Sequence, residues 1–198
     1  MHSKKQKKCV IIVLGETQVG KTSFINRFNT GSFERDTLTT IGLDFVVKEM
    51  TLEDGTKVNV KIFDTAGQER FRNLTKNFYQ KADGAILMYS ETDEDSFNKI
   101  DGWLTKLGEN APENVITFLV ANKCDSLERT VTKQRGVELS RTKKLKFYES
   151  SAKKNINVNK VFEELVKDII KIKNEDESNI IVTKENNNSK NNKKKKCC

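Results

Sequence analysis

The stretch Gly15-Glu16-Thr17-Gln18-Val19-Gly20-Lys21-Thr22 constrains this chain most. Five apolar residues, Val10-Ile11-Ile12-Val13-Leu14, precede it and read as a buried parallel strand. Phe24, Ile25 and Phe28 follow at helical spacing. A G-x-x-x-x-G-K-[ST] loop that joins a strand to a helix has the setting in which such loops cradle phosphate. Glycines let successive N–H groups turn inward, and the helix start adds its positive dipole end. Lys21 can reach the outer phosphates, and the Thr22 hydroxyl can ligate Mg²⁺. A plain strand–helix turn with a surface lysine would need none of this coincidence.

Charge is not spread evenly. Residues 1–8 carry four lysines and no acid, and residues 174–198 carry six lysines against four acids. Removing the arm's +4 and the tail's +2 from the formal +8 leaves +2 for residues 9–173. The basic balance thus belongs to the ends, which argues against nucleic acid as partner and for an anionic membrane surface. No stretch approaches the length of a membrane-spanning helix, and no signal peptide is evident. Cys9, Cys124, Cys197 and Cys198 have no metal-binding spacing, which fits a reducing cytosol. The single histidine is His2, so histidine-based catalysis is excluded.

Patterning along the chain predicts an α/β fold. Strands are expected at 10–14, 45–52, 57–63, 84–89, 115–121 and 145–148. Asp54-Gly55 marks a hairpin between the second and third. Helices are expected after the glycine loop, along Phe97, Ile100, Leu104 and Leu107 with Asp93 as N-cap, at 131–140, and along Val158, Val161, Phe162, Leu165, Val166, Ile169 and Ile170. This gives a single P-loop domain at 9–173: a mostly parallel six-stranded sheet with one antiparallel edge strand and helices on both faces. Residues 1–8 form a basic arm. Residues 174–198 form an Asn- and Lys-rich tail expected to lack structure. The segment 29–40 reads as a long loop.

Three further segments fall at the C-terminal ends of strands, where ligands sit in such sheets. Asp64 ends a strand and can hold Mg²⁺, directly or through water. Gly67 can bring its N–H close to a terminal phosphate, and the Gln68 amide can orient a water for in-line attack. After the strand at 115–121 comes Asn122-Lys123-Cys124-Asp125. The Asp125 carboxylate can accept parallel bonds from guanine N1 and N2, which adenine cannot supply. In Ser151-Ala152-Lys153 a backbone N–H could meet guanine O6, with Lys153 nearby.

Together these segments resemble the small Ras-like GTPases, and within them the Rab family. The resemblance covers roughly residues 9–173 and the terminal cysteines. Rab-type stretches are Ile41-Gly42-Leu43-Asp44-Phe45 and Arg70-Phe71-Arg72-Asn73-Leu74-Thr75, with looser matches at Phe78 to Ala82 and Leu87 to Thr92. The resemblance implies Gln68, Lys21 and Thr40 as catalytic residues and Thr22, Thr40 and Asp64 as Mg²⁺ ligands. It implies that GTP or GDP is held by Gly15, Thr17, Gln18, Val19, Gly20, Lys21, Thr22 and Ser23, with Phe33 packing on guanine. Thr40 and Gly67 would add γ-phosphate contacts, and Asn122, Lys123, Asp125, Ser151, Ala152 and Lys153 base contacts. Ile41, Gly42, Leu43, Asp44, Phe45, Phe63 and Phe78 would face effectors. Gln18 replaces the glycine usual in the loop, and Phe63 the tryptophan usual before the aspartate.

The same resemblance implies an exchange factor, a GTPase-activating protein, effectors, a prenylation escort and a GDP-dissociation inhibitor as partners. Cys197 and Cys198 would each carry a geranylgeranyl chain. The protein would then cycle between cytosol and the cytoplasmic face of an intracellular membrane, switching vesicle traffic. A small-molecule P-loop kinase gives no reason for Asn122 to Asp125. A tight nucleotide binder without hydrolysis does not need Gln68. An Arf-like GTPase would want glycine where His2 stands. A pure interaction module would not need all five segments.

Overall fold

A computed structural model describes residues 6–33, 44–64 and 77–193, with backbone alone at 44 and 177–193. Thr40, Ile41, Gly42, Leu43, Gly67, Gln68, Cys197 and Cys198 lie outside the described residues, as do the predicted switch stretches around them. Six strands are described: β1 (Lys7–Leu14), β2 (Asp44–Thr51), β3 (Lys57–Asp64), β4 (Gly84–Ser90), β5 (Ile116–Asn122) and β6 (Lys146–Glu149). The helices with described bounds are α1 (Lys21–Thr30), α2 (Glu94–Asn98), α3 (Ile100–Asn110), α4 (Lys133–Lys143) and α5 (Val158–Lys193), and residues 77–79 are helical as well.

The strands form one sheet in the order β2-β3-β1-β4-β5-β6. Only the β2–β3 pair is antiparallel; β1–β3, β1–β4, β4–β5 and β5–β6 are parallel. The hairpin forms as its Asp-Gly pair predicts: Gly55 takes φ 78° and Thr56 N donates to Asp54 Oδ1. Chain order reverses between β1, whose outgoing helix leads toward β2 and β3, and β4, which leads to β5. That switch point is where a ligand crevice opens in such sheets.

Alternation along the strands splits the core in two. Ile11, Val13, Ile62 and Met88 face α1 and α5, while Ile12, Leu14, Leu87 and Tyr89 face the α3 and α4 side. On the first face Phe162 of α5 stacks on Phe28 and Phe24 of α1, with centroids 4.0 and 5.3 Å apart. Truncating such a ring costs about 3–5 kcal/mol. Gly84 lets α5 lie close, because a Cβ there would stand 2.8 Å from Ile169 Cδ1. On the second face Ile100, Trp103 and Leu107 of α3 are buried at a 3–4 residue spacing.

Three boundaries differ from the sequence reading. β1 starts at Lys7, because Val58 and Asn59 pair with Lys7 and Lys8 of the supposed arm. The predicted helix along 97–107 is two helices, α2 capped by Asp93 accepting from Ser96 N at 3.2 Å, then α3. The composition predicts a tail without structure from 174, whereas the backbone is helical to Lys193. No Gly or Pro interrupts 174–193, and lengthening a formed helix needs no new nucleus. Among the described residues no helix is long and apolar enough to cross a membrane.

Candidate functional site

Register brings the C-terminal ends of the parallel strands to one edge. Leu14 pairs with Leu87, Val13 with Asp64, Ser90 with Asn122, and Ala121 with Glu149. The loops that leave this edge hold the described site residues.

The glycine loop is sterically fixed. Gly15 has φ 144°, and a Cβ on it would overlap the Met88 carbonyl oxygen. Gly20 has φ 95° and caps α1 in the left-handed region. Gln18 also sits at positive φ, 65°, which accounts physically for glycine being usual there. A side chain in this region costs roughly 1 kcal/mol. Thr17 and Gln18 are exposed, whereas Val19 is buried. Lys21 is nearly buried, and its Nζ donates to the carbonyls of Gly15 at 2.8 Å and Glu16 at 2.7 Å. The ammonium therefore lies across the mouth of the loop. The Thr22 hydroxyl donates to Asp64 Oδ2 at 2.6 Å, with Asp64 only 5% exposed. A hydroxyl and a carboxylate held together in this way are the hard oxygen donors that Mg²⁺ takes. Among the described residues no group of three His, Cys, Asp or Glu could hold a metal.

Asn122 joins the segments. It is 2% exposed, and its Nδ2 donates to Val19 O at 2.8 Å. Its Oδ1 accepts from Ser150 Oγ and from Ala152 N, both at 3.3 Å. One amide thus ties the phosphate loop to the segments after β5 and β6. Asp125 Oδ1 accepts from Ser151 Oγ at 2.6 Å, and the same hydroxyl accepts from Lys154 N. Lys123 adopts φ 64°, and Cys124 N donates to Ser150 O at 3.0 Å. The structure therefore brings Asn122, Asp125, Ser151 and Ala152 together, and the Lys153 side chain is exposed.

Sequence reasoning missed two further ties. Arg27 Nε donates to Ala152 O at 2.8 Å, and its other nitrogens reach the carbonyls of Lys153 and Gly31. Its guanidinium also lies 5.7 Å from the Phe33 ring centre, so Phe33 stands at the end of α1 beside residues 152 and 153. Glu16 accepts from Trp103 Nε1 at 3.0 Å and from Lys99 Nζ at 2.9 Å. Burial opposes the Glu16 charge, but Lys99 and Trp103 hold its carboxyl below the usual range. Both ties join residues distant in the chain, and neither has a local sequence signal.

Of the aromatics expected to face effectors, Phe45 is exposed, Phe78 half-buried and Phe63 only 5% exposed. They form one cluster, with centroids 5.9 Å apart for Phe45–Phe63 and 4.7 Å for Phe63–Phe78. Lys61 Nζ stands 3.8 Å from the Phe45 ring centre.

The sequence model of the Ras family matches residues 10–171. The chain is 44% identical to Ras-related protein Rab-18 of Lymnaea stagnalis, over 81% of this chain and 80% of that one. It is 39% identical to Ras-related protein Rab-10 of Diplobatis ommata, over 86% of each. With Ras-related protein Rab-3 of Caenorhabditis elegans it shares 45% identity over 79% of this chain and 72% of that one.

Proposed function

The chain belongs to the Rab branch of the Ras family of small GTPases, and from that premise we propose how its own residues bind guanine nucleotide, hydrolyse GTP and act in vesicle traffic. The observation that carries this reading is the Asn122 amide, which holds Val19, Ser150 and Ala152 together and so joins the loop after β1 to the segments after β5 and β6.

Asp125 accepts guanine N1–H and N2–H, and the Ser151 hydroxyl at 2.6 Å orients its carboxylate. The N–H groups of 17–22 surround the β-phosphate at the start of α1. Lys21 moves its ammonium from the Gly15 and Glu16 carbonyls toward the phosphate oxygens. Thr22 and Asp64 are the described residues that would hold Mg²⁺, with Thr40 joining them in the GTP state. Bound there, Mg²⁺ would neutralise charge on the phosphates. Gln68 orients the attacking water, and Thr40 and Gly67 hold the γ-phosphate. Intrinsic turnover is slow, because no arginine among the described residues stands ready for the transition-state charge, and an activating partner supplies it.

Loss of the γ-phosphate releases the segments around 33–45 and 66–80, and the aromatic cluster Phe45-Phe63-Phe78 between them reads that change to effectors. The tail from 174 carries the domain to an anionic membrane through geranylgeranyl chains on Cys197 and Cys198. One chain gives only marginal binding, so two are needed. A prenylation escort, a GDP-dissociation inhibitor and an exchange factor complete the partners.

Purified protein incubated with labelled GTP, GDP and ATP tests the reading. Retention of both guanine nucleotides and none of ATP is expected, and equal retention of ATP would overturn it.

A further inference from the structure

Glu91 stands just past β4 and is wholly buried, at 0% exposure. As a carboxylate it accepts no hydrogen bond among the described residues. Its charged partner is Arg129, whose Nε lies 3.1 Å from Glu91 Oε2. The same guanidinium reaches Glu149 Oε1 at 3.2 Å and the Cys124 carbonyl at 2.5 Å. Glu91's backbone holds the same loop at both ends. Its N–H donates to Asn122 O at 2.9 Å, and its carbonyl accepts from Thr130 N and Val131 N at 2.8 and 3.0 Å.

We propose that Glu91 is a positioning residue for nucleotide retention, acting through Arg129 on the loop that reads the base, and that ionisation of Glu91 loosens this loop. The inference rests on the assignment of Asp125 as the base reader.

The surrounding charges decide the direction. Glu149 of β6, Lys133 of α4, Arg129 and the Cys124 thiol of the connecting loop, and the Tyr89 hydroxyl of β4 all face Glu91. Arg135 acts on the Tyr89 hydroxyl and pairs with Glu94. Lys133 Nζ lies 2.6 Å from Glu149 Oε2. Burial opposes the Glu149 charge, but Lys133 holds that carboxyl below the usual range. Burial also pushes the Glu91 carboxyl up to about 7, with Arg129 opposing and Glu149 adding to the rise. A proton on Glu91 therefore leaves Glu149 as the one carboxylate charge beside the Arg129 guanidinium that both carboxyls share.

Loss of that proton places a second carboxylate charge where no water reaches. Opening of 91 and 129–131 relieves it and releases Arg129 from Cys124 O. The closed site binds its proton more tightly than the open one does. Opening is therefore favoured as pH climbs from the ordinary glutamate range to about 7, and levels off above.

The test is GDP dissociation from the full chain with Mg²⁺ present, measured from pH 5.5 to 8 for wild type and Glu91→Gln. Reading the ratio of the two rates at each pH cancels titration of the nucleotide phosphate. The wild-type rate should rise relative to Glu91→Gln by fivefold or more between pH 5.5 and 7.5, then level off. A ratio constant with pH overturns the proposal. Should Glu91→Gln not fold, Glu149→Gln removes the like charge and should move the wild-type inflection to lower pH. An unmoved inflection overturns it equally. Asp125→Ala serves as the control. If it leaves GDP affinity intact, the base-reader assignment fails, whatever the Glu91 variants do.

Discussion

Replacement of Asn122 by alanine removes one hydrogen bond of 2.8 Å and two of 3.3 Å at a site 2% exposed. The short bond contributes about 1 kcal/mol net, and the long ones less. The larger part comes from what is left behind. Val19 is 0% and Ala152 4% exposed, so the Val19 carbonyl and the Ala152 N–H lose a partner where water does not replace it. Each buried orphan costs about 1–3 kcal/mol. Allowing for overlap, the variant should lose about 2–4 kcal/mol. At a urea slope of about 2 kcal/mol per M, the midpoint falls by about 1–2 M. The assay has a natural probe, since Trp103 is the only tryptophan and its indole N–H is bound to Glu16 of the phosphate loop. Both proteins are unfolded at the same saturating GDP concentration, and the difference in ligand stabilisation calculated from each protein's measured GDP Kd is subtracted. A midpoint shift below about 0.3 M at unchanged slope would refute Asn122 as the joint between the loops.

Other outcomes follow from the same assignments. Asp125→Asn should lose GDP affinity by tenfold or more and gain xanthosine diphosphate binding, measured by competition against labelled GDP, because the new amide presents a donor to a donor. Gln68→Leu should lower single-turnover GTP hydrolysis while leaving GTP affinity within about twofold, if the amide orients the attacking water. Paired Cys197→Ser and Cys198→Ser changes should leave the chain in the soluble fraction of fractionated cells while the purified protein still binds GTP. A single change should leave partial membrane binding.

The phosphate loop was legible because its requirements are local. Gly15 and Gly20 are needed where a side chain would meet Met88 or Asn122, and the flanking strand and helix announce themselves by period. The same holds for Asn122 and Asp125, which follow an apolar strand directly. What escaped reading depends on pairs far apart in the chain. Arg27 with Ala152 and Glu16 with Trp103 look like ordinary surface residues until the sheet brings them together. Glu91 is the sharpest instance: a carboxylate after a strand reads as a solvated turn, and only tertiary closure buries it. Phe63 shows the reverse case. Alternation along β3 gives way at Ile62-Phe63-Asp64, where both faces of the sheet are covered, so a ring expected to look outward is enclosed.

The path of α5 has a mechanical consequence. The helix starts near the edge that carries the nucleotide loops and runs back to the opposite rim. There Lys173 pairs with Asp83 at 2.8 Å and donates to Lys8 O. A pull on the tail therefore enters the domain along the axis of α5. The load spreads over Val161, Phe162, Leu165, Val166, Ile169 and Ile170, all buried against the sheet and α1. If the tail is the tether, as proposed, a pull on it would be borne first by the Lys173–Asp83 pair and these core contacts.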